Sequence, residues 1–229
     1  MTGRVDYAMH DLKDKTLPAH SDGLDRLSLT PVPLVPEIRL HLAVDAIVWW
    51  ARMEAEAGQA LTTPFWASAW AGGQGVARYV LDNPEVARGR RVLDLAAGSG
   101  LAGIAAGLAG AATVTANDID PYAIAAVELN ARANGVTVTG RQGDLLDGDG
   151  GDADLVLAGD VFYSDEMAER VLPFLRRAAD RGARVLVGDP GRDYLPTTEL
   201  TLVATYDAES ALTFIDAQLS RINVFSLGG

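Results

Sequence analysis

The stretch that most constrains the fold of this chain is residues 91–103 (RVLDLAAGSGLAG), followed by NDIDP at residues 117–121. The apolar run at 92–95 is typical of a buried parallel strand, and the small residues at 96–100 predict a tight turn that opens a helix. A second strand ends at Asp118, about twenty residues after Gly98. This order predicts a nucleoside site, because the turn lets backbone approach the ligand and the acid accepts hydrogen bonds from ribose hydroxyls.

The rest of the C-terminal half continues to alternate between strands and helices. Strands are predicted at residues 91–95, 113–117, 136–140, 154–159 and 184–188, and helices at 101–109, 121–134 and 165–181. Residues 200–206 and 221–227 predict two more strands, paired antiparallel at the sheet edge. The expected fold class is α/β: a Rossmann-like, seven-stranded, mostly parallel sheet with an antiparallel C-terminal hairpin and helices on both faces.

The N-terminal part of the chain has a different pattern. Residues 1–28 have mixed charge and no hydrophobic period, which predicts a mobile or loosely docked extension to a single domain at 29–229. Alternating apolar residues between 38 and 44 predict a strand. Asp45 is expected to cap a helix that reaches residue 57, and a short helix is expected at residues 75–81.

Composition narrows the classes of function. The net charge of −12 disfavours a nucleic-acid partner, because phosphates would be repelled at long range. The chain has no cysteine for thiolate chemistry, and its three histidines leave little for a metal site. It has no apolar run of about 18 residues and no secretory signal pattern. We therefore expect a cytoplasmic protein, a monomer or homodimer, with no metal, nucleic-acid or membrane partner.

The residues around the turn indicate which nucleoside is bound. Gly98, Gly100 and Gly103 satisfy the GxGxxG fingerprint of dinucleotide-binding proteins. However, Asp94 lies in the strand just before the turn, where a carboxylate is unfavourable beside a pyrophosphate and favourable beside a cation. The pattern also lacks a second mononucleotide-binding half and a residue set for hydride transfer. S-adenosylmethionine, which has no phosphate and carries a positive sulfonium, satisfies all three observations.

These motifs resemble a known family. Residues 92–100 and 117–120 are similar to the glycine turn and acidic strand end of class I S-adenosylmethionine-dependent methyltransferases. Four further segments extend the likeness to the branch of protein lysine methyltransferases that includes the electron transfer flavoprotein β-subunit lysine methyltransferase. Those segments are residues 64–74, 81–84, 159–163 and 188–192. The likeness covers residues 30–227 and implies methyl transfer from S-adenosylmethionine.

The resemblance, together with positions at the strand ends, implies three groups of site residues. The cofactor-binding group is Trp66, Asp94, Ala96, Gly98, Gly100, Asp118, Ile119, Asp144, Leu145 and Gly159, the catalytic group is Asp160 and Tyr163, and the substrate-binding group is Trp70, Asp189 and Arg192. Asp118 is expected to bind the ribose, Asp94 to lie near the amino-acid end of the cofactor, and Asp144 to accept from the adenine amino group. Ala96 replaces the family's first glycine, and its methyl group is expected to be tolerated if φ is negative.

Two interpretations of the substrate stay open. The leading one is a lysine side chain of a protein, such as an electron transfer flavoprotein subunit. The alternative is a small amine or other metabolite, methylated on nitrogen or oxygen, with residues 1–28 closing over it. Asp160 and Tyr163 disfavour a third class, a nucleotide-binding protein without catalysis. Asp160 is expected to align the nucleophile rather than act as a strong base, because an anionic carboxylate raises the pKa of a neighbouring amine.

Overall fold

The computed structural model describes residues 2–14, 26–207 and 221–227. The strands of these segments are β1 (Leu27–Val32), β2 (Val35–Ala43), β3 (Arg91–Leu95), β4 (Thr113–Asp118), β5 (Thr139–Gln142), β6 (Leu155–Gly159), β7 (Arg184–Asp189), β8 (Leu200–Asp207) and β9 (Arg221–Leu227). The α-helices are α1 (Thr2–Asp14), α2 (Ala46–Ala57), α3 (Ala71–Asp82), α4 (Leu101–Leu108), α5 (Pro121–Ala133) and α6 (Asp165–Asp180). Short 3-10 turns lie at Phe65–Ala67 and Pro84–Val86.

Seven strands form one sheet in the order β5-β4-β3-β6-β7-β9-β8. The first five pair in parallel, and β9 pairs antiparallel with both β7 and β8. The predicted fold class is therefore confirmed, including the antiparallel C-terminal hairpin. Strands β1 and β2 form a separate antiparallel hairpin.

Alternate side chains of the central strands point to opposite faces of the sheet, and helices cover both. On one face, Leu155 and Leu157 of β6 belong to an apolar cluster shared with α3, α4 and the β1–β2 hairpin. On the other, Val156 and Ala158 belong to a cluster shared with α6. Strands buried on both faces read as near-continuous apolar runs, which is why β3, β6 and β7 were readable from sequence.

The local signals at helix ends also act as predicted. The Asp45 carboxylate accepts from the backbone N–H groups of the first turn of α2, and Gly58 ends that helix with φ of 64°. Asp120 caps α5, with Pro121 in its first turn. Each of these side chains satisfies backbone donors that a helix leaves unpaired at its start.

Three elements differ from the sequence prediction. Helix α3 begins at Ala71 rather than at residue 75. Strand β5 covers Thr139–Gln142 rather than 136–140, because β4 pairs with residues 139–142 while Val136 packs toward Gly107 of α4. The strand predicted between residues 38 and 44 is β2, which begins at Val35 and pairs with an unpredicted strand, β1; extended backbone in such a hairpin tolerates the prolines at 31 and 36.

The N-terminal extension contains helix α1, which the sequence pattern did not predict. Ala8 and Leu12 lie one turn apart and are fully buried. They share an apolar cluster with Trp49 of α2 and Ala126 of α5. Residues 15–25 lie outside the described segments, and the domain boundary at residue 28 stays a prediction. Among the described helices, none is long and apolar enough to cross a membrane.

Candidate functional site

The glycine turn connects β3 to α4 and lies beside the end of β4. Ala96, Gly98 and Gly100 all have positive φ, at 51°, 51° and 82°. The backbone N–H of Gly98 donates to Asp118 Oδ2 at 3.0 Å, and the Asp120 N–H donates to Asp118 Oδ1 at 3.0 Å. The turn and the predicted ribose acid are therefore already joined into one unit, in which the exposed side chain of Ile119 lies next to the acid.

The condition under which Ala96 was expected to be tolerated, a negative φ, is not met. Its φ is positive, so an alanine occupies the left-handed conformation that the family's glycine adopts without strain. The side chain is exposed, and the methyl group therefore costs backbone strain rather than space in the core.

Replacing Ala96 with glycine is expected to raise the free energy of unfolding by up to about 1 kcal/mol, because relief of left-handed strain exceeds the added entropy of the unfolded chain. Ala97→Gly is the matched control, since φ at Ala97 is not positive, and it should lower the free energy of unfolding by about 0.5–1 kcal/mol. Urea denaturation measures both. An equal loss in the two variants would contradict strain at Ala96.

Asp94 lies beneath the first turn of α4 and is 2% exposed. Its Oδ2 accepts from the Gly103 N–H at 2.8 Å, a contact that caps α4, whose N-terminal residue Gly100 has no side chain to do so. Burial raises the pKa of Asp94 to about 7, the Gly103 N–H opposes this, and the charge of Asp118 adds to it. The structure thus gives Asp94 a helix-capping contact, and its predicted contact with the cofactor stays a prediction.

The raised pKa of Asp94 predicts a pH dependence of stability. In the unfolded chain this pKa returns to about 3.9, so between about pH 4 and 7 the folded protein binds more protons than the unfolded chain. The stabilising contribution is complete below about pH 4 and is lost as the pH rises to about 7, at no more than about 1.4 kcal/mol per pH unit. Asp94→Asn should flatten this slope in urea titrations of ligand-free protein, whereas exposed Asp165→Asn should not. An unchanged slope in Asp94→Asn would refute the assignment.

Asp160 directly follows β6 and has a φ of 76°, which is unusual for a residue other than glycine. Its side chain is 9% exposed, and its Oδ1 accepts from Arg192 Nη1 at 2.6 Å. Its Oδ2 accepts from the Gly73 N–H in the first turn of α3 at 2.7 Å. Burial raises the pKa of Asp160 to about 6, against the opposing charge of Arg192 and the N–H groups of α3. A positive φ at a non-glycine residue is most often retained at functional sites.

Asp189 is the last residue of β7, and Arg192 lies in the turn that follows the strand. The fully buried Asp189 accepts from the Gly191 and Arg192 N–H groups through Oδ1, both at 2.7 Å. Its Oδ2 lies 3.6 Å from Arg192 Nη1. Asp189 therefore builds the turn and orients Arg192, and it can act on a substrate only through that guanidinium.

Four glycines let the start of α3 lie directly on the ends of β6 and β7; we call Gly72, Gly73, Gly159 and Gly188 the glycine seat. A Cβ on Gly188 would lie 2.0 Å from the Gly72 carbonyl oxygen, and one on Gly159 would lie 2.5 Å from Gly73 Cα. The lack of a side chain at Gly159, a predicted cofactor contact, is thus required by helix packing.

The aromatic side chains of this region differ in burial: Trp66 is buried, whereas Phe65 and Tyr163 are exposed. Trp66 is 2% exposed, packs edge-on against Trp49 and stacks on Tyr122, so its backbone rather than its ring neighbours Gly98. Tyr163 is 54% exposed and stacks with Phe65 at 6.3 Å between ring centroids. Trp70 packs against Phe65 at 5.9 Å. We call Phe65, Trp70 and Tyr163 the aromatic shelf. Burial and then the charge of Asp118 raise the pKa of Tyr163, so its hydroxyl stays protonated.

The side chains of Asp144 and Leu145, which follow β5, contact α6. The exposed Asp144 accepts from the Leu146 N–H at 2.9 Å and pairs with Arg170 of α6 at 2.8 Å. These contacts lower its pKa. Leu145 is partly buried against the α6 cluster. If Asp144 contacts adenine, its carboxylate also serves Arg170. The predicted cofactor contacts of Asp144 and Leu145 both stay predictions.

Sequence reasoning missed several residues that shape the site. Phe65, half exposed beside Tyr163, was not distinguished from other aromatics, although it lies in the same Pro-Phe-Trp motif as Trp66. Gly72, Gly73 and Gly188 lie in the segments 64–74 and 188–192 that carry the family resemblance, and they were given no role of their own. Asn130 of α5, which is fully buried, carried no signal beyond its place in a helix.

Comparison with known proteins decides the family. The electron transfer flavoprotein beta subunit lysine methyltransferase of Xenopus laevis is 43% identical over 171 residues, which are 74% of this chain and 69% of that protein. The chain belongs to the electron transfer flavoprotein β-subunit lysine methyltransferase family. The Homo sapiens relative is 40% identical over 164 residues, 69% of this chain and 61% of that protein. Matches thus span about two thirds of the relatives' length, and the predicted family is confirmed.

Other comparisons concern part of the chain or its fold. The family described as ribosomal protein L11 methyltransferase (PrmA) matches residues 79–161. The structure of SMU.776 complexed with SAH has a TM-score of 0.53 at 14% identity, covering 73% of this chain and 51% of that chain. Trm5b from Pyrococcus abyssi has a TM-score of 0.52 at 17% identity, covering 92% of this chain and 57% of that chain. These likenesses show the methyltransferase fold.

As a member of this lysine methyltransferase family, the protein is a methyltransferase that uses S-adenosylmethionine, and the turn has the chemistry to hold it. Asp118 offers a carboxylate at a strand end, and Asp94 and Asp120 add negative charge nearby. The turn itself carries no cation, and a Cβ at Gly98 would meet only Trp66 Cα, at 3.8 Å. The open backbone lets a ligand come close, and the carboxylates suit ribose hydroxyls and a sulfonium but disfavour a pyrophosphate.

Proposed function

We propose that this methyltransferase methylates a lysine side chain of a protein, with the β subunit of electron transfer flavoprotein as the first candidate substrate. The observation that carries the proposal is the identity of 43% over 171 residues to a protein named for that activity. The match covers residues on both sides of the turn, not the glycine motif alone, since it includes 74% of the chain.

The surface beside Asp160 supports an amine substrate. Phe65 and Tyr163 of the aromatic shelf are about half exposed, and aromatic rings attract ammonium groups. Asp160 lies at the carboxyl end of β6, where ligands of open α/β sheets bind. An apolar and aromatic approach that ends at an acid fits the long aliphatic stem and charged head of lysine.

Positioning is the main requirement of this reaction. When bound, S-adenosylmethionine supplies an electrophilic methyl group on a positive sulfur. A lysine has a reference pKa of about 10.4, so making it neutral at pH 7 costs roughly 4–5 kcal/mol. A dry aromatic surrounding lowers that pKa, and an anionic Asp160 raises it. We therefore assign Asp160 to attracting and aligning the amine, with Tyr163 and Trp70 holding its stem, and Arg192 holding Asp160 in place.

The remaining assignments follow from chemistry rather than from direct tests. We propose that Asp118 and Ile119 hold the nucleoside and that Asp94 faces the amino-acid end. We also propose that the protein acts in the cytoplasm as a monomer or homodimer, without nucleic-acid or membrane partners; the charge of −12 and the absence of cysteine support this.

The direct test uses S-adenosylmethionine labelled on its methyl group. The enzyme is incubated with purified electron transfer flavoprotein and separately with a lysate split by size, and an Asp118→Ala variant serves as the inactive control. Label on a lysine of the β subunit is the expected result. Label confined to the small-molecule fraction would instead establish a metabolite methyltransferase, and label on another protein would correct the substrate while retaining the chemistry.

A further inference from the structure

Asn130 of α5 is fully buried and is not among the predicted site residues. Its Nδ2 donates to the carbonyl oxygen of Ser99 at 2.9 Å, in the middle of the glycine turn. Its Oδ1 accepts from the His41 N–H on β2 at 2.8 Å and lies 3.1 Å from His41 Nδ1. One amide thus joins the turn to the β1–β2 hairpin, which is not part of the main sheet.

The chemistry of the partners fixes the orientation of this amide. A carbonyl oxygen only accepts and a backbone N–H only donates, so Nδ2 must face Ser99 and Oδ1 must face His41. Because Oδ1 accepts, the proton of the His41 ring lies on Nδ1. Burial lowers the pKa of His41, so the ring is neutral at pH 7 and this tautomer persists. A buried amide whose oxygen and nitrogen are both hydrogen-bonded favours one local geometry.

The same face of α5 presses on the turn at a second point. A Cβ on Gly100 would lie 3.0 Å from Val127 Cγ2, and Val127 is one turn before Asn130 on α5. The turn is also held by β4, because the Ala97 N–H donates to the Asn117 carbonyl at 2.9 Å. A backbone with several positive φ values needs such external support to stay in one conformation.

We infer that Asn130 is a positioning residue for cofactor binding, which holds the Ser99 carbonyl so that the glycine turn keeps its ligand-ready shape and is coupled to the β1–β2 hairpin. The role concerns the methyl donor and is independent of which amine is methylated. It is also distinct from that of Asp118, which holds the turn from the opposite side through the Gly98 N–H.

A matched control lies one turn further along α5. Asn134 accepts from the Arg39 N–H at 2.9 Å and donates to the Arg39 carbonyl at 2.7 Å, also on β2. It thus makes the same kind of contact with the hairpin, but its side-chain hydrogen bonds go to Arg39 and Asn130 and not to the turn. At either position, Asn→Asp keeps the side-chain acceptor and removes the side-chain donor. Only the donor lost at position 130 bonds to the turn, at the Ser99 carbonyl.

The test measures the dissociation constant of S-adenosylhomocysteine by calorimetry, together with the unfolding midpoint and amide hydrogen exchange of residues 96–100. Asn130→Asp is expected to weaken binding about 10-fold and to speed exchange in the turn. Asn134→Asp should change binding by less than about 2-fold while lowering the midpoint. Asn130→Ala, which adds no charge, repeats the test if the first variant does not fold. Unchanged affinity in both Asn130 variants, or equal weakening in Asn130→Asp and Asn134→Asp, would overturn the inference.

Discussion

Replacing Asp160 with asparagine is expected to lower the rate constant for methyl transfer by about 100- to 1000-fold, while the dissociation constant of S-adenosylhomocysteine stays within about threefold. The carboxylate at the end of β6 is the buried acid next to the aromatic shelf, and its charge attracts and orients the amine. Asparagine retains an oxygen for the Gly73 N–H and loses that charge. Single-turnover assays with saturating methyl donor measure the rate constant, and calorimetry measures the affinity.

The structure also makes Asp160 a cap of α3 and a partner of Arg192, so the controls must separate these roles. Asp165→Asn removes an exposed acid five residues later and should leave turnover unchanged. The unfolding midpoint of Asp160→Asn shows whether the fold survives. Wild-type turnover would remove Asp160 from the mechanism. A parallel loss of cofactor affinity would instead assign it to holding α3 and the turn residues.

Replacing Asp118 with alanine is expected to raise the dissociation constant of S-adenosylhomocysteine by about 100- to 1000-fold. Charge-assisted hydrogen bonds to two ribose hydroxyls contribute about 1.5–3 kcal/mol each. The change also removes the acceptor of the Gly98 N–H, so the turn loses a contact as the ligand loses its own. Burial raises the pKa of Asp118, and binding should therefore weaken as the pH falls and this carboxyl takes up a proton.

Two further variants isolate the role of this carboxylate in ligand binding. Asp118→Asn keeps an oxygen for one backbone N–H and should weaken binding by an intermediate factor. Asp120→Asn removes a neighbouring charge but retains the cap of α5, because asparagine is as good an N-cap as aspartate. It should bind within about threefold of wild type. Equal effects at 118 and 120 would mean that only the local negative potential matters.

Most of the sheet was predictable because its strands follow local rules. Apolar runs of four to six residues, glycines after helices and acids before them lie within a few residues of the elements they define. The start of α3 was not predictable in this way. Its N-terminal N–H groups are satisfied by Asp160, which is 87 positions later in the chain, and no nearby cap marks the first turn.

Contacts between residues far apart in sequence also limit prediction of the site. The acids Asp94, Asp118 and Asp160 were identified from their places at strand ends, and the structure places each on backbone N–H groups of a turn or helix. What the sequence did not show is that these contacts already occupy the carboxylates. The positive φ at Ala96 could not be predicted, because an alanine gives no local signal of left-handed backbone, whereas a glycine would have suggested it.

The glycine seat has a consequence for how substrate preference can change in this family. At the glycine seat, backbone packs directly on backbone, so side chains cannot change the distance between α3 and the sheet. The start of α3 and the ends of β6 and β7 therefore form a rigid unit. Asp160 belongs to that unit through Gly73, whereas Phe65 and Tyr163 lie on its exposed rim. A change in amine preference is therefore expected to arise on the rim, while Asp160, the acid proposed to receive the nucleophile, keeps its position.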